Sequence, residues 1–169
     1  MILTRYAPDE PQHSEAKELL NKVENGGIEA ATSVLTLVEV LSTVSRAYGR
    51  FRGESISMKR EDVVGAFLRR IADIRHLYFI PFGGEVSVSF EEKNVELPAI
   101  LAVAIEIGAG TGVKTLDNIH LAAALITSRI YGQGIDYFVT LDEDILKHKE
   151  QIMGLAELKV ATPAQIPMS

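Results

Sequence analysis

Apolar residues recur along the chain at two spacings, one typical of amphipathic helices and one of short buried strands. Three early segments have helical spacing, and each is bounded by a capping or turn residue. The first runs from Ser14 as a cap to Gly26-Gly27 as a stop, the second ends near Gly49, and the third has Ser57 as a cap. Their predicted core faces are, in order, Ala16, Leu19, Leu20 and Val23; Leu37, Val38, Leu41 and Val44; and Val63, Val64, Phe67, Leu68 and Ile71.

Short apolar runs separate these helices and predict strands. They are Ile28 to Thr32, Leu77 to Phe82, the segment DYFVT and the segment ELKVAT. Between Glu85 and Leu97 apolar and polar residues alternate on either side of EEKN, which predicts a small hairpin insertion around residues 85–97.

The second half of the chain predicts three further helices. The first is an almost wholly apolar helix that begins at Pro98 and stops at Gly108. The second is the segment KTLDNIHLAAALITSRI, which has Thr115 as a cap and ends near Gly132. The third is the charged segment DEDILKHKEQI. Because strands and helices alternate, we expect an α/β fold with helices packed on a mainly parallel sheet. Sites in such sheets form beyond the carboxyl ends of the strands.

The amino-acid composition excludes several kinds of site and cellular location. The 169 residues fit a single domain and include no cysteine, which excludes disulfides, thiolate metal sites and cysteine nucleophiles and is typical of cytoplasmic proteins. Any metal would be bound by oxygen or imidazole. The N-terminal segment lacks the basic leader and apolar run of a signal peptide. The most apolar run, LPAILAVAIEIGAG, is shorter than the roughly 20 residues of a membrane span and contains Glu106, so no membrane association is expected.

The net charge of −6 argues against a cationic surface that binds nucleic acid nonspecifically, but the charge is unevenly distributed along the chain. Between Arg46 and Arg75, eight basic residues stand against four acidic ones. A solvated helix face is one interpretation of this cluster, and local binding of a phosphate backbone is the other.

Three acids fall near predicted helix starts at the same edge of the sheet. Asp117 lies in the first turn of the KTLDNIH helix with His120 one turn later, Asp142 follows the strand YFVT, and Glu39 lies in the helix after the first strand. Each also has an ordinary interpretation. Asp117 and Asp142 suit the positive end of a helix dipole, and Glu39 suits an exposed helix position.

The segments TSVLTLVEVLSTVSRAYG, LDNIHLAAALI and DYFVTLDEDI resemble, in this order, the motifs of PIN-domain ribonucleases, the family that includes VapC-like toxins. The resemblance covers nearly the whole chain and implies a three-layer α/β/α fold. It further implies that Glu39, Asp117 and Asp142 bind Mg²⁺ or Mn²⁺, with Asp144 as an auxiliary acid and Thr140 as the turn hydroxyl. We interpret His120 as a packing or ligand-orienting residue.

The activity implied by this resemblance is hydrolysis of RNA phosphodiester bonds to a 5′-phosphate and a 3′-hydroxyl. Without a cation, clustered carboxylates repel and one takes up a proton, whereas a hard divalent ion removes that penalty and activates water. The basic residues expected to hold RNA phosphates are Arg46, Arg50, Arg52, Lys59 and Arg60. The resemblance also implies a homodimer and an antitoxin protein as partner.

The resemblance does not extend to the first strand of the family, which ends in a metal-binding Asp. The segment MILTRYAPDE instead matches the helix that follows that strand. We therefore expect an N-terminally incomplete single domain over residues 1–169, weakly active or inactive as it stands and more active with an upstream extension that supplies the Asp. A noncatalytic module that binds RNA or protein is the alternative. A metal-dependent phosphatase is a third class, but its nucleophilic-Asp motif is not found in the sequence.

Overall fold

The structure, a computed structural model, describes residues 1–51, 59–130 and 134–167. The α-helices are α1 His13–Glu24, α2 Leu35–Arg46, α3 Tyr48–Phe51, α4 Arg60–Ala72, α5 Ala99–Thr111, α6 Thr115–Ile130, α7 Glu143–Lys147 and α8 Lys149–Ala156. The strands are β1 Ala30–Ser33, β2 Leu77–Ile80, β3 Glu85–Phe90, β4 Lys93–Pro98, β5 Tyr137–Val139 and β6 Lys159–Ala161. Single 3-10 turns span Leu3–Tyr6 and Pro163–Gln165.

The chain divides into two compact units. The first comprises Met1–Ala30 and Val34–Tyr78, and the second comprises Ala31–Ser33 and Phe79–Met168. Strands β1 and β2 each contribute residues to both units, so the division falls within these two strands. The prediction of one domain over residues 1–169 stays a prediction.

The first unit contains the helices α1, α2, α3 and α4. Helix α1 buries the four apolar residues that its spacing predicted, Ala16, Leu19, Leu20 and Val23. Its predicted cap was wrong, because the helix begins one residue before Ser14, with Gln12 at the N-cap position. Helix α4 packs on α2 and buries Val63 and Ile71. The predicted cap Ser57 lies outside the described residues.

The core face of α2 differs from the prediction. The buried residues are Thr36, Val40 and Val44, so of the four predicted residues only Val44 is fully buried, whereas Val38 is 59% exposed and Leu41 is also exposed. Both sets fit helical spacing, since residues four apart share a face. Tertiary packing therefore buries the face of α2 that contains Thr36 rather than the face that has more apolar residues.

The core of the second unit surrounds α6. Every residue from Leu121 to Thr127 is buried, and α6 packs along α5 while α5 contacts α8. The small side chains of Ala122, Ala123 and Ala124 let neighbouring elements approach the helix closely. Larger side chains complete the core, namely Ile100, Ile107, Leu121, Ile145, Ile152 and Leu158.

The described strands form three separate two-stranded sheets, which gives a mixed α/β architecture. Strands β5 and β6 are parallel, as the alternation of strands and helices predicted. Strands β3 and β4 pair antiparallel from Glu85 opposite Pro98 to Phe90 opposite Lys93, which confirms the hairpin around residues 85–97. Strand β1 pairs with β2. Within the described segments the sheets are not joined into one.

Two helix boundaries in the second unit correct the sequence prediction. Helix α5 continues past Gly108 to Thr111, because burial of Ile107 and Thr111 outweighs the low helix propensity of its glycines. It ends at Gly112, whose φ of 68° is the left-handed conformation of a helix C-cap. The single charged helix predicted after Asp142 is divided into α7 and α8 at His148.

Within the described ranges, no single helix has both the length and the apolar composition needed to cross a membrane. Helices α5 and α6 meet those criteria only as a pair, and that pair is bent by 116°.

We expect Leu121→Ala to lower the free energy of unfolding by roughly 2–5 kcal/mol, because the Leu121 side chain is fully buried and its loss leaves a cavity. The matched control is Leu116→Ala on the same helix, where the side chain is 48% exposed and the change should stay within about 0.5 kcal/mol. Urea unfolding followed by circular dichroism measures both. Equal losses would show that α6 is not surrounded by core.

Candidate functional site

The loop between α5 and α6 is held by Asn118. Thr111 Oγ1 donates a hydrogen bond of 2.6 Å to Asn118 Oδ1, and Asn118 Nδ2 donates one of 3.1 Å to the carbonyl oxygen of Val113. Thr111 and Asn118 are both buried, so these bonds satisfy groups that would be costly to leave unpaired. The loop therefore has a defined conformation up to Lys114, whose carbonyl oxygen accepts a backbone bond from Asn118.

Gly112 lets this loop approach the junction of α7 and α8. A Cβ atom at Gly112 would lie 3.1 Å from Nε2 of His148 and 3.2 Å from its Cδ2, and the positive φ disfavours any side chain there. His148 Nδ1 in turn donates a hydrogen bond of 2.7 Å to the carbonyl oxygen of Asp144. Lys114 is thereby brought close to the carboxyl group of Asp144.

Asp142 caps helix α7, in the turn that follows β5. Its Oδ1 accepts hydrogen bonds from the backbone N–H groups of Asp144 at 2.7 Å and Ile145 at 3.3 Å. The backbone N–H of Asp142 donates to Thr140 Oγ1 at 3.0 Å, so Thr140 is the turn hydroxyl, as the T-x-D pattern implied. Because both cap bonds use Oδ1, the second carboxylate oxygen of Asp142 remains available to a cation.

Asp144 forms ion pairs with two lysines. Its Oδ2 lies 2.8 Å from Lys114 Nζ, and its Oδ1 lies 3.5 Å from Lys147 Nζ. The hydrogen bond from Lys114, followed by that lysine's positive charge and by Lys147, lowers the pKa of Asp144 below its ordinary value. The carboxylate is exposed, so this shift reports which groups are close and carries little stability.

Three acids act on the ammonium of Lys114. Its pKa is raised, first by the hydrogen bond to Asp144 and that residue's charge, then by the charges of Asp142 and Asp117. A positive charge is therefore favoured at this place, and the lysine stands there as a cation. Carboxylate oxygens are the type of ligand that Mg²⁺ and Mn²⁺ prefer.

Residues 1–51, 59–130 and 134–167 contain no group of three or more histidine, aspartate or glutamate side chains that could hold a metal ion. Glu39 is half-buried on α2 and belongs to the first unit, whereas Asp117, Asp142 and Asp144 belong to the second. The shared ligand set of Glu39, Asp117 and Asp142 stays a prediction.

His120 forms a hydrogen bond to Ser33. Its Nδ1 lies 3.1 Å from Ser33 Oγ, and Ser33 is buried at the carboxyl end of β1. This contact ties α6 to the strand end one helical turn after Asp117. It agrees with the interpretation of His120 as a packing or orienting residue.

The basic residues predicted to hold RNA are partly described. Arg46, Lys59 and Arg60 are exposed in the first unit. The guanidinium of Arg60 lies 5.8 Å from the centre of the Tyr48 ring, within the range of a cation–π contact. Arg50 lies on α3, and Arg52 lies outside the described residues.

Sequence reasoning missed Lys114, Gly112 and Asn118. The signals were present, since Lys114 is the residue before the cap of the D-x-x-H helix and Gly112 ends the segment GAGTG. Asn118 lies beside Asp117 in the same motif. None of these positions has a characteristic spacing. Asn118 bonds to residues five and seven positions away, whereas Lys114 pairs with Asp144, thirty positions away.

Comparisons of the chain with protein-family models, with curated proteins and with solved structures found no match.

We expect Lys114→Gln to raise the pKa of Asp144 toward its ordinary value, because the variant loses both the hydrogen bond and the charge that lower it. Carboxyl ¹³C chemical shifts measured across pH report this pKa directly. Lys147→Gln removes the same charge at a longer distance and should raise the pKa less.

The ion pair of Lys114 and Asp144 should contribute more to stability at neutral pH than at acidic pH. Because the pKa of Asp144 is lowered by folding, the small contribution of the pair to stability is present above the unfolded-state pKa. It is lost as pH falls through the folded-state pKa. An Asp144 pKa that is the same in Lys114→Gln and in the unsubstituted protein would show that the ion pair does not form in solution.

Proposed function

We propose that this protein is a divalent-metal-dependent ribonuclease of the PIN type. The observation that carries the proposal is the ion pair of 2.8 Å between Lys114, the residue before α6, and Asp144 in the first turn of α7. The charges of Asp142 and Asp117 also raise the pKa of the Lys114 ammonium. Asp117, Asp142 and Asp144 are three of the four acids that the family resemblance implies.

In this proposal Asp117 and Asp142 hold Mg²⁺ or Mn²⁺, with Asp144 as an auxiliary acid. The chemistry that such an ion supplies is a lowered pKa for an attacking water and neutralisation of the negative charge that develops on the phosphate. The products are a 5′-phosphate and a 3′-hydroxyl.

The chain's own residues orient the acids before any ligand binds. The cap bonds to Oδ1 and the bond to Thr140 fix the side chain of Asp142. Asp117 is held by the buried helix that follows it, and the Ser33–His120 contact restrains that helix one turn further on. Such preorganisation matters because acids that are fixed in advance lose little conformational freedom on binding.

RNA binding is assigned to the exposed basic residues of the first unit, Arg46, Lys59 and Arg60 with Arg50 and Arg52. Guanidinium and ammonium groups bind phosphate oxygens, and such contacts weaken as salt rises. The proposal includes a three-layer α/β/α arrangement of one domain, a homodimer, an antitoxin protein partner and a cytoplasmic location.

A noncatalytic RNA-binding module is the second candidate. It is favoured by the contact of Lys114 with Asp144, because an ammonium already neutralises a carboxylate that an ion would need. In this candidate the ion pair is a permanent part of the loop, and the basic residues of the first unit bind RNA without cleaving it.

Cleavage of single-stranded RNA should require Mn²⁺ or Mg²⁺ and should fall at least about a hundredfold in Asp117→Asn and in Asp142→Asn. Asparagine is chosen because it removes the negative charge with little change in shape. At position 142 it also retains an oxygen that can cap α7. The measurement is release of 5′-phosphorylated fragments from a labelled RNA, with and without EDTA.

The control is Asp136→Asn, an exposed acid of the second unit outside the proposed site, which should cleave like the unsubstituted protein. Cleavage that persists in EDTA and is equal in all three variants would indicate a contaminating nuclease. RNA binding without any cleavage would support the noncatalytic module.

Arg46→Gln combined with Arg60→Gln should weaken RNA binding and reduce the dependence of log K on log salt by about 0.7 for each phosphate that is no longer neutralised. Fluorescence anisotropy of a labelled RNA at several salt concentrations measures both quantities. Arg129→Gln, an exposed arginine of the second unit, is the matched control and should leave the slope unchanged. An unchanged slope in the double variant would assign RNA binding to another surface.

A further inference from the structure

Strands β3 and β4 form a hairpin that no other described strand extends. They make a two-stranded sheet of their own, and helix α5 contacts both strands. Except for Val88, every side chain described between Glu85 and Glu96 is exposed. A two-stranded sheet is only marginally stable in water, and a further strand would stabilise it. The hairpin therefore presents two outer edges to which a strand could add.

The backbone groups on the outer edge of β3 can be identified from the hydrogen-bond pattern. The backbone N–H of Ala99 donates to the carbonyl oxygen of Gly84 at 3.0 Å, one pair beyond the register of β3 and β4. In an antiparallel sheet, pairs that exchange hydrogen bonds alternate with pairs that do not. The backbone groups of β3 that point away from β4 are therefore those of Glu85, Ser87 and Ser89.

The outer edge of β4 is less suited to a further strand. By the same alternation its outward backbone groups are those of Asn94, Glu96 and Pro98, and Pro98 has no N–H to donate. Proline and lysine at a sheet edge oppose the addition of another strand, and β4 begins with Lys93. Strand β3, with the sequence EVSVSF, contains neither residue type. The outer edge of β3 is therefore the open edge of the hairpin.

One face of the hairpin is apolar and partly exposed. Val86 lies opposite Leu97, and Val88 lies opposite Val95. Val86 and Val95 are each 39% exposed, so this face is incompletely covered by the described part of the chain. A strand that adds to β3 continues both faces of the sheet, because its side chains alternate as those of β3 do. Apolar residues at every second position of such a strand would extend this face and shield Val86.

The charge of the hairpin indicates which polar residues such a strand should carry. Residues 85–98 contain four glutamates and one lysine, a net charge of −3. Glu85 and Glu96 lie on the face opposite to the valines, and Glu91 and Glu92 form the turn. A second copy of the chain would bring the same negative charge to this edge, which opposes pairing of two copies. Lysine or arginine would instead complement the glutamates.

We propose that the outer edge of β3 binds an extended, positively charged segment of another protein, in which lysine or arginine alternates with apolar residues. Hydrogen bonds to the backbone of Glu85, Ser87 and Ser89 supply affinity, and the alternating side chains supply specificity. This interaction surface goes beyond the proposed function, because none of its residues belongs to the candidate metal site or to the basic residues assigned to RNA.

The probe is a synthetic peptide of about seven residues in which lysine and valine alternate, titrated into the full chain and followed by isothermal calorimetry. We expect saturable binding that weakens as salt rises. A peptide of equal length in which glutamate and valine alternate is the control and should bind at least about tenfold more weakly, because it meets like charge.

Amide hydrogen exchange of the unsubstituted protein locates the bound peptide without relying on a variant. Binding of the lysine-valine peptide should slow exchange at Glu85, Ser87 and Ser89, because their outward N–H groups gain acceptors. The amides of Val86 and Val88 already face β4 and should change less.

Two proline substitutions test the two edges separately. Ser87→Pro removes one outward N–H from β3 and should weaken binding of the lysine-valine peptide on the order of tenfold. Asn94→Pro makes the same change on the outer edge of β4 and should leave the affinity within about twofold. Proline is tolerated where the N–H faces solvent, and amide spectra of both variants check that the hairpin is intact.

The proposal is overturned by any of four results. Absence of binding by either peptide at millimolar concentration refutes the docking edge, and equal binding of both peptides refutes the preference for a basic partner. Slowed exchange at Asn94 and Glu96 in place of the β3 amides refutes the assignment to β3. Exchange at β3 that slows with protein concentration in the absence of peptide would identify a second copy of the chain as the occupant.

Discussion

The complete burial of helix α6 between Leu121 and Thr127 is the constraint on which the second unit depends. Each residue of this segment is buried, so the helix can neither rotate nor slide without exposing apolar surface. This fixes the N-terminal end of the helix, where Asp117 and Asn118 lie. Asn118 then fixes the preceding loop through its bonds to Thr111 and Val113, and the loop fixes Lys114.

Charge balance at this end of α6 follows from that rigidity. A carboxylate near other negative charges is stabilised by a positive partner, because like charges repel. In the structure this partner is the ammonium of Lys114, with Lys147 on the other oxygen of Asp144.

Much of the secondary structure could be predicted, because it depends on local patterns. The buried face of α1 and the β3–β4 hairpin were predicted correctly, since one has a single apolar stripe and the other alternates strictly. The face of α2 was not, because two stripes at helical spacing competed and only packing chose between them. The end of α5 was misplaced for a related reason, since burial of Thr111 overrode the glycine signal at Gly108.

In the candidate site, too, some features follow from local sequence and others only from tertiary packing. The sequence by itself determined which acids stand at helix starts and strand ends, Asp117 and Asp142 among them, because those positions are set by neighbours in the chain. It also determined the T-x-D turn, whose bond joins Thr140 to a residue two positions away. Only the tertiary structure decided that Lys114 pairs with Asp144, thirty residues along the chain. That contact depends on the buried Asn118 and on the close approach of Gly112 to His148, which no local pattern encodes.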